Sequence, residues 1–209
     1  MGFAVDINGF HGTKEDYARS ICESKTFTYK NRDNHWLGQG IYFFRDDPEQ
    51  AMKWALKGLK HGDKGVVIRT KISSDFSSFL DLNTQTGIER FQQHVEEVDS
   101  VVSKIESLQV KATIDGKQNN ANHRMRCAVM DLLPPQIKIV QQYFEIENPP
   151  KKISENEFLR KMNIKPYSVQ ICVRDKEVID QESIVIHEKK SREQKRKFHK
   201  TSSKKINYK

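Results

Sequence analysis

Trp36-Leu37-Gly38-Gln39-Gly40-Ile41-Tyr42-Phe43-Phe44 sets two glycines before an apolar run of one isoleucine and three aromatic residues. Such a run, entered through glycines, reads as a short strand over residues 40–44 preceded by a flexible turn. Asp47 and Pro48 then supply an N-cap and a first helical position. The helix they open places Ala51, Trp54 and Ala55 on one face, where Trp54 reads as a core anchor. Upstream, residues 3–10 are apolar enough for a strand that ends at a turn. Thr13, with Asp16 three residues on, resembles a capping box for a helix carrying Tyr17, Ala18, Ile21 and Cys22. The polar residues 25–35 read as the loop between that helix and the glycine turn.

Downstream, residues 64–72 alternate as a strand, with Val66, Ile68 and Ile72 against Arg69 and Lys71. From Gly87 to Leu108 the apolar residues Ile88, Phe91, Val95, Val98, Val102 and Ile105 step by three and four, the pattern of an amphipathic helix. A polar loop over 115–122 leads to a helix over 121–133, stopped by Pro134-Pro135. Residues 137–146 read as a long strand. Ser154 and Glu157 form a capping box for a short helix through Met162. Residues 167–174 and 183–187 are further strands. Strands and helices mix without a regular βαβ repeat, so the expected class is α+β, a mixed or antiparallel sheet with flanking helices. Residues 87–133 stand out as a helical insertion within a body spanning 1–188.

Charge divides the chain in two. Of the 36 Lys and Arg, ten fall between Lys189 and Lys209, against one acid, Glu193. The first 188 residues carry the other 26, against 27 acids. The basicity belongs to a tail over 189–209, which reads as a flexible segment for a polyanion or an acidic partner. The chain lacks an apolar run of about 18 residues, and its start lacks the basic and apolar regions of a signal peptide. A cytoplasmic protein without a membrane segment is expected. Cys22, Cys127 and Cys172 are widely spaced and read as buried small hydrophobes, and no His and Cys spacing suggests a metal site.

Three segments carry the candidate chemistry. They are Phe10-His11-Gly12-Thr13, the glycine-aromatic stretch through Phe44, and Val169-Gln170-Ile171-Cys172-Val173-Arg174-Asp175. A His at a strand end before Gly points a hydrogen-bonding ring into a space that a ligand or backbone can approach closely. An aromatic residue after glycines is placed to stack on a flat ring. Together the segments resemble the ADP-ribosyltransferase superfamily, in its diphtheria-toxin-like and poly(ADP-ribose)-polymerase-like branch. That branch has a His-Gly-Ser/Thr strand, a helix, a Gly-x-Gly-Ile-Tyr-Phe strand and a later strand bearing Glu or a substitute. The resemblance covers roughly residues 5–188, apart from 75–150.

The resemblance implies a split sheet, NAD as substrate without a metal, and a triad of His11, Tyr42 and Gln170. His11 would bind the ribose next to the adenine. Gly12 would hold the nicotinamide amide through its backbone, Thr13 and Gly40 would also bind NAD, Tyr42 would stack on the nicotinamide, and Gln170 would bind its ribose. Gln170 replaces the Glu of the polymerases, which points to transfer of a single ADP-ribose. Glu182 and Glu188 are weaker candidates for that position. Asn122-His123-Arg124-Met125-Arg126 reads first as a solvated helix start. Alternatively, one of its arginines meets an NAD or acceptor phosphate.

The basic tail favours a nucleic-acid acceptor, RNA in particular, over protein. The size suits an intracellular toxin or phage-defence effector with a neutralising antitoxin or a chaperone as partner. The rival readings are a catalytically inactive module that binds NAD or RNA, an RNA 2′-phosphotransferase, and a plain interaction module.

Overall fold

β1 (Ala4–Lys14) and β3 (Lys64–Asp75) pair antiparallel along their whole length, from Ala4↔Asp75 to Lys14↔Gly65. They anchor one half of a seven-stranded mixed sheet. The computed structural model describes residues 4–31, 35–101, 103–104, 118–146 and 149–192, with only the backbone of 118–123. The remaining strands are β2 (Ile41–Arg45), β4 (Phe79–Asp81), β5 (Ile139–Glu145), β6 (Tyr167–Val173) and β7 (Val185–Ser191). The order is β4-β5-β6-β2-β1-β3-β7, with β4 and β5 parallel and every other pair antiparallel. The class is therefore α+β, as expected from the mixture of periods.

The ladders are uneven. β2 pairs with β6 from Ile41↔Val173 to Phe44↔Gln170. Between β1 and β2 the register holds only Gly9↔Arg45 and Phe10↔Phe44. Beyond Phe10, β1 continues with β3 and β2 continues with β6. The sheet thus opens along a seam between His11–Lys14 on one side and Ile41–Phe43 on the other.

Helices cover both faces. α1 (Glu15–Ser24) lays Ala18 and Ile21 on the face that carries Ile7, Phe43, Ile68 and Ile171. On the opposite face, α2 (Pro48–Leu56) packs Ala51, Met52 and Ala55 against Phe10 and Val67. Beside it, α4 (Gln118–Asp131) packs Met130 among Leu37, Leu80, Val140 and Cys172. α3 (Gln85–Glu97) runs along β4 at the sheet edge, and α5 (Lys151–Ser154) and α6 (Glu157–Lys161) join β5 to β6.

The expected N-cap of α2 is in place. Asp47 Oδ1 accepts from the Gln50 N–H at 3.1 Å, Pro48 is the first helical residue, and Asp47 Oδ2 accepts from the Ser168 hydroxyl at 2.9 Å. Elsewhere the structure corrects local expectations. Thr13 is not a helix cap, because β1 pairs with β3 through Lys14, so the helix begins at Glu15 without a side-chain cap. Trp54 is not a core anchor: it lies 55% exposed on the outer side of α2. Asn156, not Ser154, caps α6. The helix expected from Gly87 starts earlier, at Gln85 with Thr84 as cap, and α3 ends at Glu97; residues 105–117 lie outside the described residues. β7 continues through Lys189 and Lys190 to Ser191, which pairs with Lys64, so the start of the basic segment belongs to the sheet. Residues 193–209 lie outside the described residues.

Gly12 sets the distance between α2 and the sheet. A Cβ there would fall 1.9 Å from the Ala51 carbonyl oxygen and 3.1 Å from the Ala55 nitrogen. Both obstacles are helix backbone, which cannot move aside as a flexible side chain would. Gly12→Ala is expected to lower stability by about 1–3 kcal/mol through overpacking. Thermal unfolding checks this; an unchanged midpoint would show that α2 does not sit this close.

Candidate active site

The seam brings two of the three motif segments together, and a single side chain bridges it. His11 Nδ1–H donates to the Tyr42 carbonyl at 2.9 Å. Because the partner is a carbonyl, the proton sits on Nδ1, and Nε2 is left as an acceptor. The ring is wedged edge-on between Phe27 at 5.3 Å and Phe43 at 5.7 Å. Burial pushes the His11 pKa below its ordinary value, and the Tyr42 carbonyl only partly offsets this. His11 is a neutral imidazole at physiological pH.

Gly12 has its backbone aimed into the same seam. Along an antiparallel strand the N–H and C=O groups of alternate residues point to opposite sides. Asn8 points toward β2, where its carbonyl accepts from the Asp46 N–H at 3.0 Å. Gly12, four residues on, points the same way, past the last paired residues of that ladder. Thr13 is half-buried on β1 opposite Val66.

Tyr42 faces away from His11. The register puts His11 on the Phe43 side of the sheet and Tyr42 on the other, packed with the cluster of Leu37, Met130 and Cys172. Its hydroxyl donates to the Gly38 carbonyl at 2.8 Å and accepts from the Leu37 N–H at 2.8 Å. Burial raises its pKa, so it stays a neutral phenol. The His35 ring lies over it at 5.0 Å, tilted by 56°.

The glycines of this stretch are used in packing. Gly38 has φ +83°, and a Cβ there would meet Asp131 Oδ1 at 2.8 Å. The same carboxylate accepts from the Gln39 N–H at 2.6 Å, fastening the turn to the end of α4. A Cβ on Gly40 would sit 2.5 Å from the Val173 carbonyl oxygen, so this position answers to its neighbour β6.

Gln170 is half-buried opposite Phe44 on β2 and opposite Gln142 on β5, so it shares the Tyr42 face. The end of its segment is structural. Arg174 donates to the carbonyls of Leu133, Pro134 and Ile137, tying down the chain after α4, and Asp175 pairs with Lys138 at 3.0 Å. Glu188 and Glu182 do not approach Gln170. Glu188 lies on β7, four strands from β6, and Glu182 lies in the exposed turn before β7.

Sequence reasoning missed the company of Gln170. Arg126 donates to Gln142 Oε1 and stands 5.1 Å from the Trp36 ring and 5.9 Å from Phe144. These residues come from α4, β5 and the loop before β2, and no local spacing joins them. An open cleft of about 730 Å³ lies beside the glycine turn, lined by Tyr29, Gln39, Asp131, Ile137, Arg174 and Lys176. None of His11, Gly12, Tyr42 and Gln170 lines it. Among the described residues, no cluster of His, Cys, Asp and Glu could hold a metal, and no helix is long and apolar enough to cross a membrane.

The depressed His11 pKa has a consequence for stability. The unfolded chain takes up a proton near the ordinary His value, whereas the folded chain resists it. The unfolded state therefore binds more protons below about pH 6.5, and stability falls as the pH drops through that window. Unfolding of the wild type is expected to be more pH-sensitive between about pH 6.5 and 5 than that of His11→Gln. Parallel denaturant titrations test this, and equal slopes would remove His11 as the cause.

A protein of Methanocaldococcus jannaschii described as uncharacterized is 25% identical to the chain over 186 residues, which cover 84% of this chain and 85% of that protein. No family model matches the chain, and no solved structure matches it.

Proposed function

We propose that the chain is a mono-ADP-ribosyltransferase that cleaves NAD and transfers ADP-ribose to an intracellular acceptor, a nucleic acid such as RNA. The observation that carries this reading is the seam. The His-Gly-Thr strand and the Gly-x-Gly-Ile-Tyr-Phe strand are neighbours in the sheet and part immediately after Phe10 and Phe44. The parting leaves the Gly12 backbone and the His11 ring at the gap, and Gln170 lies on the next strand over. Motifs singled out for resembling one family thus occupy adjacent strands, although at least 22 residues separate each of the three from the next.

The chemistry assigns each residue a task. The bond from the nicotinamide nitrogen to ribose C1′ breaks, and its electron pair leaves with nicotinamide. The ribose becomes an oxocarbenium-like centre, which a lone pair of the acceptor attacks as the acceptor's proton passes to solvent. His11 Nε2 accepts from a ribose hydroxyl. The Gly12 N–H and C=O pair with the nicotinamide amide and fix the leaving group. The Tyr42 ring forms an apolar wall. The Gln170 amide orients the hydroxyls of the reacting ribose. Orientation and fixed dipoles supply the rate.

Gln170 carries no charge, so the cationic centre lacks the electrostatic support that a carboxylate would give. That favours a single transfer over chain growth. It also favours a second reading, an inactive module that binds NAD without turning it over. The basic segment after β7 supports a polyanionic acceptor, because its charges steer and retain nucleic acid. The effector role in toxin–antitoxin or phage defence rests on the resemblance alone.

Incubation with radiolabelled NAD and cellular extract tests the reading. Label is expected to survive protease and vanish with nuclease. His11→Ala and Tyr42→Ala are each expected to lower incorporation by about 100-fold. Label removed by protease alone would move the acceptor to protein. NAD binding without turnover would leave the inactive module. Gln170→Glu adds negative charge beside a cationic transition state and is expected to speed nicotinamide release by about tenfold or more. An unchanged rate would take the third role away from Gln170.

A further inference from the structure

Arg126 holds a half-buried charge that no acid among the described residues answers. Removal from water lowers its pKa, yet a guanidinium remains protonated in proteins. Among the described residues no carboxylate lies within ion-pair distance of it. Its neighbours are the Gln142 amide oxygen and the rings of Trp36 and Phe144, which themselves meet edge-on at 5.7 Å. Taking a cation out of water without a counter-charge is costly, so the site is built to be completed by an anion. Trp36 remains 43% exposed. A flat cation, a large flat ring and two neutral amides therefore meet at one place on the Tyr42 face, because Gln142 stands directly opposite Gln170 in the β5–β6 ladder.

We propose that Trp36, Arg126, Phe144 and Gln142 form the acceptor subsite, and that it takes an unpaired nucleotide of a single-stranded nucleic acid. The inference rests on the transferase reading for the word acceptor, but the binding it describes stands without it. The base stacks on the Trp36 side of the cluster, the guanidinium meets its phosphate, and the Gln142 and Gln170 amides hydrogen-bond to the base edge. An acidic peptide would satisfy the charge but would leave the ring surface and the amides unused. A duplex keeps its bases stacked and out of reach, so the ligand is single-stranded.

The chain has two tryptophans, Trp36 and Trp54. Trp54→Phe leaves Trp36 as the sole indole and the reporter of the site. Titration of the full chain in that background with single-stranded RNA of about twelve nucleotides is expected to quench its emission. The matching duplex and an acidic peptide should leave the emission unchanged. With fluorescein-labelled RNA, Arg126→Gln and Trp36→Leu are each expected to weaken binding roughly tenfold, and Arg126→Lys to weaken it less, since it keeps the charge without the plane. Equal quenching by the duplex or the peptide would overturn the proposal, as would RNA affinity unchanged in Arg126→Gln. If the wild type consumes NAD while RNA binding ignores Arg126, the subsite falls and the transferase reading stands. If RNA binding depends on Arg126 while NAD is not consumed, the subsite stands and the transferase reading falls.

Discussion

The hydrogen bond from His11 to the Tyr42 carbonyl spans the seam on which the rest of the arrangement depends. Two halves of the sheet, β4-β5-β6-β2 and β1-β3-β7, are joined by a two-residue ladder at Gly9–Phe10 and Phe44–Arg45. Each half is well paired internally, so the backbone does not need further pairing between β1 and β2. Past Phe10 the imidazole takes the place of the missing ladder. Such a bond contributes about 1 kcal/mol net, but leaving the carbonyl buried without a donor would cost about 1–3 kcal/mol. The seam is thus held at one point and left open beside it, at Gly12.

Gly12 shows why the motif is a unit rather than a string of separate requirements. Its missing side chain lets the Ala51 turn of α2 rest on β1, and its backbone faces the seam. Any side chain there would push α2 off the sheet and narrow the approach to those backbone groups. Gly40 plays the matching part on the other bank, where β2 comes close to Val173. The glycine motifs are therefore explained by helix and strand packing, and packing is what shapes the gap.

Much of the fold was legible in the sequence, because local chemistry there agrees with the tertiary contacts. Asp47-Pro48 opens α2, and Pro134-Pro135 follows the end of α4. Cys127 and Cys172 are buried and Cys22 is half-buried. Legibility failed where a distant partner overrode a local signal. Thr13 looks like a cap, but β3 claims it as a strand residue. β4 is three residues long and exists through parallel pairing with β5, nearly sixty residues away, which no local period encodes. Trp54 obeys the helical apolar spacing, yet Ala51 and Ala55 take the sheet-facing positions and turn it outward. In the candidate site, the segments bearing His11, Tyr42 and Gln170 lie on three consecutive strands, β1, β2 and β6. The motifs could not tell that His11 and Tyr42 face opposite sides, because that parity depends on the register of β1 with β2.

The electrostatics of the Tyr42 face bear on what any reaction there can be. Gln170 and Gln142 are neutral, the Tyr42 phenol is held neutral by burial, and Arg126 is positive. Asp47 lies on the same face two residues along β6 from Gln170, through Ser168, but its oxygens are engaged by the start of α2 and the Ser168 hydroxyl. Beside these dipoles and this cation, the His35 ring over Tyr42 and the Asp131 carboxylate at the end of α4 are further titratable groups of the face. The exposed Trp36 ring beside Arg126 suits an anionic, flat partner such as the nucleotide proposed above. The charge pattern that weakens the case for chain elongation is the same pattern that favours a nucleotide as the partner.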